Sequence, residues 1–181
     1  MTDLRVAGAL PDIIDDHLAV LFCGVNPGLL AAASGHHFAG RSNRFWRTLH
    51  LSGFTPQELT PEQDRTLLQH GCGLTTVVER ATAGVDQLSS QDFAAAAEAF
   101  ERKIARHAPR FTAFLGKAAY AALSGRRDLA WGLQPERMAG SASWILPNPS
   151  GLNRAFSLDM LVQAYSLLRA STANALSVLE I

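Results

Sequence analysis

The chain has 181 residues, 48% of them hydrophobic and 18% charged, with 16 Lys and Arg against 16 Asp and Glu. That length supports one domain with a real core, and the apolar fraction excludes disorder. Every apolar run is cut by Gly, Pro or a charge well before the roughly 20 residues of a membrane span.

Met1 to Asp16 carries Asp3, Asp12, Asp15 and Asp16 against Arg5 alone, which does not read as a secretory leader. The expectation is a cytoplasmic protein, one domain over residues 1–181 with its core at about 18–169.

In chain order, a buried strand is predicted at Leu18–Cys23, running straight into Gly24-Val25-Asn26-Pro27-Gly28. Short helices follow at Asn43–His50 and Pro61–His70, then a strand at Thr75–Val78. Between Asp92 and Arg106, Phe93, Ala97, Phe100 and Ile104 form one helical stripe. A strand at Phe111–Leu115 precedes a helix at Lys117–Leu123. The last strand, Ser143–Leu146, runs into Pro147-Asn148-Pro149-Ser150-Gly151-Leu152. Ser157 then caps a helix with Leu158, Leu161, Val162, Tyr165 and Leu168 on one stripe. Ala170 to Ile181 is a fraying helix or a tail. Strands alternating with helices predict an α/β fold: a single domain with a four-stranded, mostly parallel sheet flanked by helices.

Two cysteines, Cys23 and Cys72, are too few for a disulfide scaffold or a four-thiolate metal site. Cys23 lies in an apolar run and reads as a small buried hydrophobe. The balanced charge is unevenly spread. Arg41, Arg44 and Arg47 fall together without an acid, and Arg102 to Arg137 holds eight bases against Asp128 and Glu136. Either these are solvated helix faces, or one face suits phosphates. Fourteen of the sixteen bases are Arg, the residue that suits planar phosphate and base-edge contacts.

In an open α/β sheet, ligands bind outside the carboxyl ends of the strands. Two Asn-Pro loops leave strand ends here, and in a parallel sheet both lie on one edge. They are ordinary turns, or they bring two Asn amides to one cleft.

Gly24-Val25-Asn26-Pro27-Gly28, Asn43-Arg44-Phe45-Trp46, Leu115-Gly116-Lys117 and Leu146-Pro147-Asn148-Pro149-Ser150-Gly151-Leu152 occur in this order. Together they resemble the mismatch-specific uracil-DNA glycosylase family, the bacterial relative of thymine-DNA glycosylase in the uracil-DNA glycosylase superfamily. The similarity runs from about Leu18 to Arg169. It implies a DNA repair enzyme that flips uracil from G·U mispairs and hydrolyses its N-glycosidic bond, leaving an abasic site. The implied partners are double-stranded DNA with G·U mispairs and downstream abasic-site repair enzymes, with the glycosylase itself a monomer that acts on chromosomal DNA.

By that resemblance Asn26 positions the water. An amide oxygen accepts from water but cannot take its proton at pH 7, so the chemistry must be largely dissociative. Apart from the resemblance, Asp92, Asp86 and Glu79 in the stretch after the second strand are unranked auxiliary acids, or Asp92 complements a helix start and the other two are simply solvated. Asn148 matches the electrophile that stabilises the departing uracil. The base pocket comprises Val25, Gly28, Ala31 and Phe38. Phe38 either stacks on the flipped base or belongs to the core, and Gly28 stands where uracil-only relatives carry a bulky Tyr. Leu152 is the wedge that fills the gap left by the base, or it packs its own loop. Gly151, Leu152, Asn153 and Arg154 meet the widowed guanine, and Arg41, Arg44 and Ser150 contact phosphates.

No cofactor and no metal are expected, since His36 and His37 have no suitably spaced third ligand. Two lysines, Lys103 and Lys117, leave few candidates for a Schiff-base lyase, and Gly116-Lys117 lacks the flanking residues of a phosphate loop. The alternatives are a non-catalytic α/β module that binds nucleotides or DNA, and an RNA-binding or nuclease scaffold.

Overall fold

The computed structural model describes residues 10–174. The first nine residues, part of the segment read as unlike a leader, and residues 175–181, part of the expected helix or tail, lie outside the described residues.

Among the described residues, five strands form one sheet in the order β2-β1-β3-β5-β4. They are β1 (Val20–Gly24), β2 (Cys72–Thr76), β3 (Phe111–Leu115), β4 (Gly132–Met138) and β5 (Ser141–Leu146). β1 pairs in parallel with β2 and β3, and β3 pairs in parallel with β5. Their carboxyl ends therefore share one edge.

The expected four strands become five. The addition, β4, runs antiparallel to β5 on the outside of the sheet. Pro135 in Gly132-Leu-Gln-Pro-Glu-Arg-Met and its mostly exposed residues read as a loop. An edge strand tolerates such a proline at a break in pairing, and the register shifts between Leu133 and Arg137. β2 also begins three residues before the predicted start. Gly73 weakens the local strand signal there, although all of β2 is buried.

The helices are α1 (Leu29–Ser34), α2 (Phe45–Leu51), α3 (Ser90–His107), α4 (Lys117–Ser124) and α5 (Leu158–Asn174). α1 was not foreseen, and Pro61–His70 is a 3-10 helix. α5 continues the predicted helix as far as Asn174. No helix among the described residues is long and apolar enough to cross a membrane.

Period-2 alternation along the strands builds a core on each face of the sheet. Val20, Phe22, Leu74, Leu115 and Leu146 pack with Phe45 and Trp46 of α2 and with Leu161, Tyr165 and Leu168 of α5. Leu21, Cys23, Phe114 and Ile145 pack with Phe100 and Ile104 of α3 and with Tyr120 of α4. Each Val, Leu, Ile or Phe among them, taken fully out of water, contributes about 1.5–3 kcal/mol. Both cysteines are free and buried, and burial pushes the Cys72 thiol up to about 12.

Candidate active site

A cavity of about 660 Å³ opens at the shared carboxyl edge of β1, β2, β3 and β5. Residues of both Asn-Pro loops line it, including Asn26 and Asn148.

The first loop follows β1 and is sewn to the chain that leaves β2. Val77 N–H donates to the Gly24 carbonyl at 3.0 Å, Val78 N–H to Val25 at 2.9 Å, and Thr82 N–H to Pro27 at 3.1 Å. On this frame the Asn26 Nδ2 donates to the Arg80 carbonyl at 2.8 Å and to Thr82 Oγ1 at 2.7 Å. A carbonyl can only accept, so the atom facing Arg80 must be the nitrogen. Thr82 passes its own proton to the Gly84 carbonyl at 2.8 Å, and its oxygen is thereby left to accept from Asn26. The Asn26 amide is locked with both N–H groups used and, among the described residues, Oδ1 free to accept.

The second loop fixes its amide in the opposite sense. Asn148 Oδ1 accepts the Ser150 N–H at 2.9 Å, which makes Nδ2 the end available to a ligand. Among the described residues, no acceptor hydrogen-bonds to that Nδ2. Asn153 Nδ2 donates to the Asn148 carbonyl at 2.9 Å, and Tyr165 OH donates to the Pro147 carbonyl at 3.1 Å. Gly116, after β3, sits behind Asn148 at φ +97°, and a Cβ there would touch the Asn148 side chain at 3.7 Å. The site thus holds one amide as an acceptor and one as a donor.

Val25, Gly28, Ala31 and Phe38 all line the cavity. Phe38 is half-buried and stacks on Phe45 with centroids 4.0 Å apart. Its φ of +54° is rare for a bulky residue, a cost of the kind that accumulates at functional sites. The segment is held by Trp46 Nε1, which donates to the His37 carbonyl at 3.2 Å, and by Asp64, which accepts the His37 N–H at 3.2 Å. His37 Nε2 carries its proton toward the Pro11 carbonyl at 2.8 Å, while His36 Nδ1 lies 3.4 Å from Asp64. The two imidazoles therefore serve different partners. Among the described residues, no three His, Cys, Asp or Glu side chains gather as a metal site. Burial lowers the His37 pKa, outweighing the Pro11 carbonyl and the Asp64 charge.

Three candidate acids separate. Asp86 lines the cavity; Glu79 is exposed and lies off it. Asp92 also lies off it and is committed elsewhere. It receives Arg80 Nε at 3.2 Å and Nη2 at 2.9 Å, and accepts the Ser89 N–H at 2.7 Å as part of the α3 capping box. Arg80 foremost, then Ser89, holds this carboxyl well below the usual carboxylate range. Asp92 is thus a clamp on the loop whose Arg80 carbonyl orients Asn26, and not an auxiliary acid.

Gly151, Leu152 and Asn153 line the cavity mouth, with Leu152 80% exposed. That exposure removes the reading of Leu152 as a residue packing its own loop. Arg154 and Arg41 are exposed, and Ser150 accepts the Leu152 N–H at 3.2 Å.

Arg44 departs from the expected phosphate contact. Its guanidinium donates to the carbonyls of Pro149, Ser150, Asn153 and Phe156, so its charge is spent inside the protein. Sequence reasoning also missed Thr82 and Thr76, both lining the cavity. Thr82 lies in a stretch with no motif of its own; only its place shortly after a strand end could have marked it.

The description "Uracil DNA glycosylase superfamily" matches residues 11–169. The fold is similar to the solution NMR structure of a candidate uracil DNA glycosylase from Methanosarcina acetivorans, with TM-score 0.60 and 19% identity over 91% of this chain and 97% of that one. With the family match covering the sheet, both Asn loops and most of α5, this chain belongs to the uracil DNA glycosylase superfamily.

Proposed function

We propose that this protein is a monofunctional glycosylase of the mismatch-specific type, which flips uracil out of G·U mispairs and hydrolyses its N-glycosidic bond without a cofactor. The observation that carries this reading is the opposed locking of Asn26 and Asn148 at one cavity. Asn26 Oδ1 accepts a hydrogen bond from water and aims it at the sugar carbon. No proton can be taken by that amide, so the bond to the base breaks first and the water meets an oxocarbenium-like sugar. Asn148 Nδ2 donates to a uracil oxygen as negative charge develops there, the role of an oxyanion-hole donor.

Phe38, backed on one face by Phe45, offers the opposite face to the extruded base. Leu152, exposed beside the cavity, fills the vacated stack, and Gly151, Asn153 and Arg154 face the widowed guanine. Space beside Gly28, where a Cβ would meet nothing within 4 Å, suits pyrimidines with a C5 substituent. Of the two lysines, Lys103 is tied to Asp12 and Lys117 lies over Trp131, and neither lines the cavity. That supports hydrolysis over a Schiff-base lyase step. The abasic product then requires an enzyme that cuts the strand at such sites.

The test is excision from a labelled G·U duplex, scored as free uracil and alkali-labile strand, beside a panel of thymine, 5-substituted uracils and ethenocytosine opposite guanine. Asn26→Ala should slow single-turnover excision about 10²–10³-fold while duplex binding persists. Tight duplex binding with every glycosidic bond left intact would favour the non-catalytic DNA-binding module.

A further inference from the structure

We infer that Arg44 is a positioning residue, which sets the wedge loop and ties Leu152 mechanically to the floor of the base pocket. The inference rests on the glycosylase reading above. Leu152 is 80% exposed, so packing of its own side chain cannot aim it. Its direction is inherited from the loop backbone.

Beside the loop's own bonds among Asn148, Ser150, Leu152 and Asn153, one guanidinium from α2 gathers that backbone. Arg44 Nε donates to Pro149 O at 3.3 Å, Nη1 to Phe156 O at 2.6 Å, and Nη2 to Ser150 O at 3.0 Å and Asn153 O at 2.9 Å. The Arg44 backbone N–H adds a further bond to Pro149 O at 3.0 Å. Four carbonyls on both sides of Leu152 converge on one planar fork, a pattern that the three donors and single nitrogen of a lysine cannot reproduce. Gly151 rests on the same segment, since a Cβ there would lie 2.5 Å from the Ser42 Cβ.

The next residue completes the link. Phe45 is fully buried and stacks 4.0 Å beneath Phe38. Two consecutive residues at the start of α2 therefore hold the two ends of the flipping machinery, one the loop that enters the stack and the other the aromatic that receives the base. The offset between wedge and pocket is set in the α2 backbone, which the buried Phe45, Trp46 and Leu49 anchor independently of Arg44.

The experiment compares wild type, Arg44→Ala, Arg44→Lys, Leu152→Ala and the Arg44→Ala/Leu152→Ala double variant on uracil in a fully paired G·U duplex and in single-stranded DNA. Arg44→Ala should lose about 10- to 100-fold on paired DNA, the scale of one or two charge-assisted hydrogen bonds, and much less on the single strand. Arg44→Lys should recover only part of that loss. Because Arg44 acts through Leu152, the double variant should fall no further than Leu152→Ala alone. Deuterium exchange at 150–156 should quicken in Arg44→Ala and Arg44→Lys while exchange in the sheet stays slow, and the salt dependence of binding should keep its slope.

Equal losses on both DNA forms, additive losses in the double variant, or unchanged exchange at 150–156 would each overturn the role. A salt slope lower by about one in Arg44→Ala would overturn it in favour of a phosphate contact. If Arg44→Ala does not fold, Arg44→Lys carries the same comparison. Wild type that excises uracil while Arg44 variants keep the paired to single-stranded ratio refutes Arg44 alone; wild type that excises from neither DNA refutes the glycosylase reading, and the wedge with it.

Discussion

Asn26 Nδ2 and Thr82 Oγ1 lie 2.7 Å apart, although 56 positions separate them in the chain. Thr82 receives from Asn26 and donates to the Gly84 carbonyl, so its hydroxyl has one proton and one direction to send it. This relay, with the Arg80 carbonyl, decides which end of the Asn26 amide faces the cavity.

Thr82→Val keeps the shape and removes the relay. Single-turnover excision should fall about 10- to 100-fold, as for one or two lost hydrogen bonds, with duplex affinity little changed. Thr82→Ser should stay near wild type. Asn26→Asp would set a carboxylate oxygen against the Arg80 carbonyl 2.8 Å away, which raises its pKa and opposes the charged form. Its excision rate should climb with pH where that of wild type stays flat.

Two cavity glycines should respond differently to side chains. Gly28 has φ −70° and ψ 158°, an extended conformation open to any residue, and its Cβ position is empty. Gly28→Tyr should therefore fold normally, retain uracil excision and suppress 5-substituted substrates; uniform loss across the base panel would reject Gly28 as the specificity position. At Gly151 a Cβ would sit 2.5 Å from the Ser42 side chain and 2.7 Å from its carbonyl oxygen. Gly151→Ala should store about 1–3 kcal/mol of strain, displace the wedge loop and reduce excision from paired DNA more than from single strands.

Stability should decline as pH falls below about 6.5, an effect that originates at His37. Burial lowers this imidazole in the folded state, whereas the unfolded chain takes up the proton near pH 6.5. The contribution is complete above about 6.5 and is lost as pH falls toward and through the folded value. His37→Gln, which retains a donor for Pro11, should flatten that decline in urea titrations at pH 5, 6 and 7. An identical pH dependence in both proteins would place the effect elsewhere. Asp92, lowered by Arg80, contributes stability above about 3.9 and loses it only at more acid pH, so its loss begins well below the pH at which that of His37 begins.

Arg41 and Arg154 are both exposed, Arg41 close in the chain to cavity-lining Gly40 and Ser42, and Arg154 beside the wedge loop. Each should remove about one unit from the salt slope of duplex binding when changed to Ala, as expected for one neutralised phosphate. On the proposed mismatch-specific reading, Arg154→Ala should also narrow a preference for guanine opposite the uracil, and excision from U·G and U·A duplexes in parallel measures this. A salt slope unaffected by either change would mean that neither residue meets a phosphate.

Much of this protein was legible from local pattern. The run Leu18–Cys23 is continuously apolar because β1 is buried on both faces, and the stripe Phe93, Phe100, Ile104 reappears as the buried face of α3. Both Asn-Pro loops sit at strand ends, and the parallel pairing of β1, β3 and β5 places them on one edge, as alternating strands and helices predict. What local pattern could not carry are choices made between distant segments. β4 has a proline and exposed residues, and only pairing with β5 makes it a strand. An amide reads the same in sequence whichever end it presents; Thr82 and the Ser150 N–H settle that for Asn26 and Asn148. An arginine near a DNA-facing loop reads as a phosphate contact, yet Arg44 meets carbonyls more than a hundred positions away. Residue type sets which hydrogen bonds are available, and only the tertiary fold decides which partners arrive to make them.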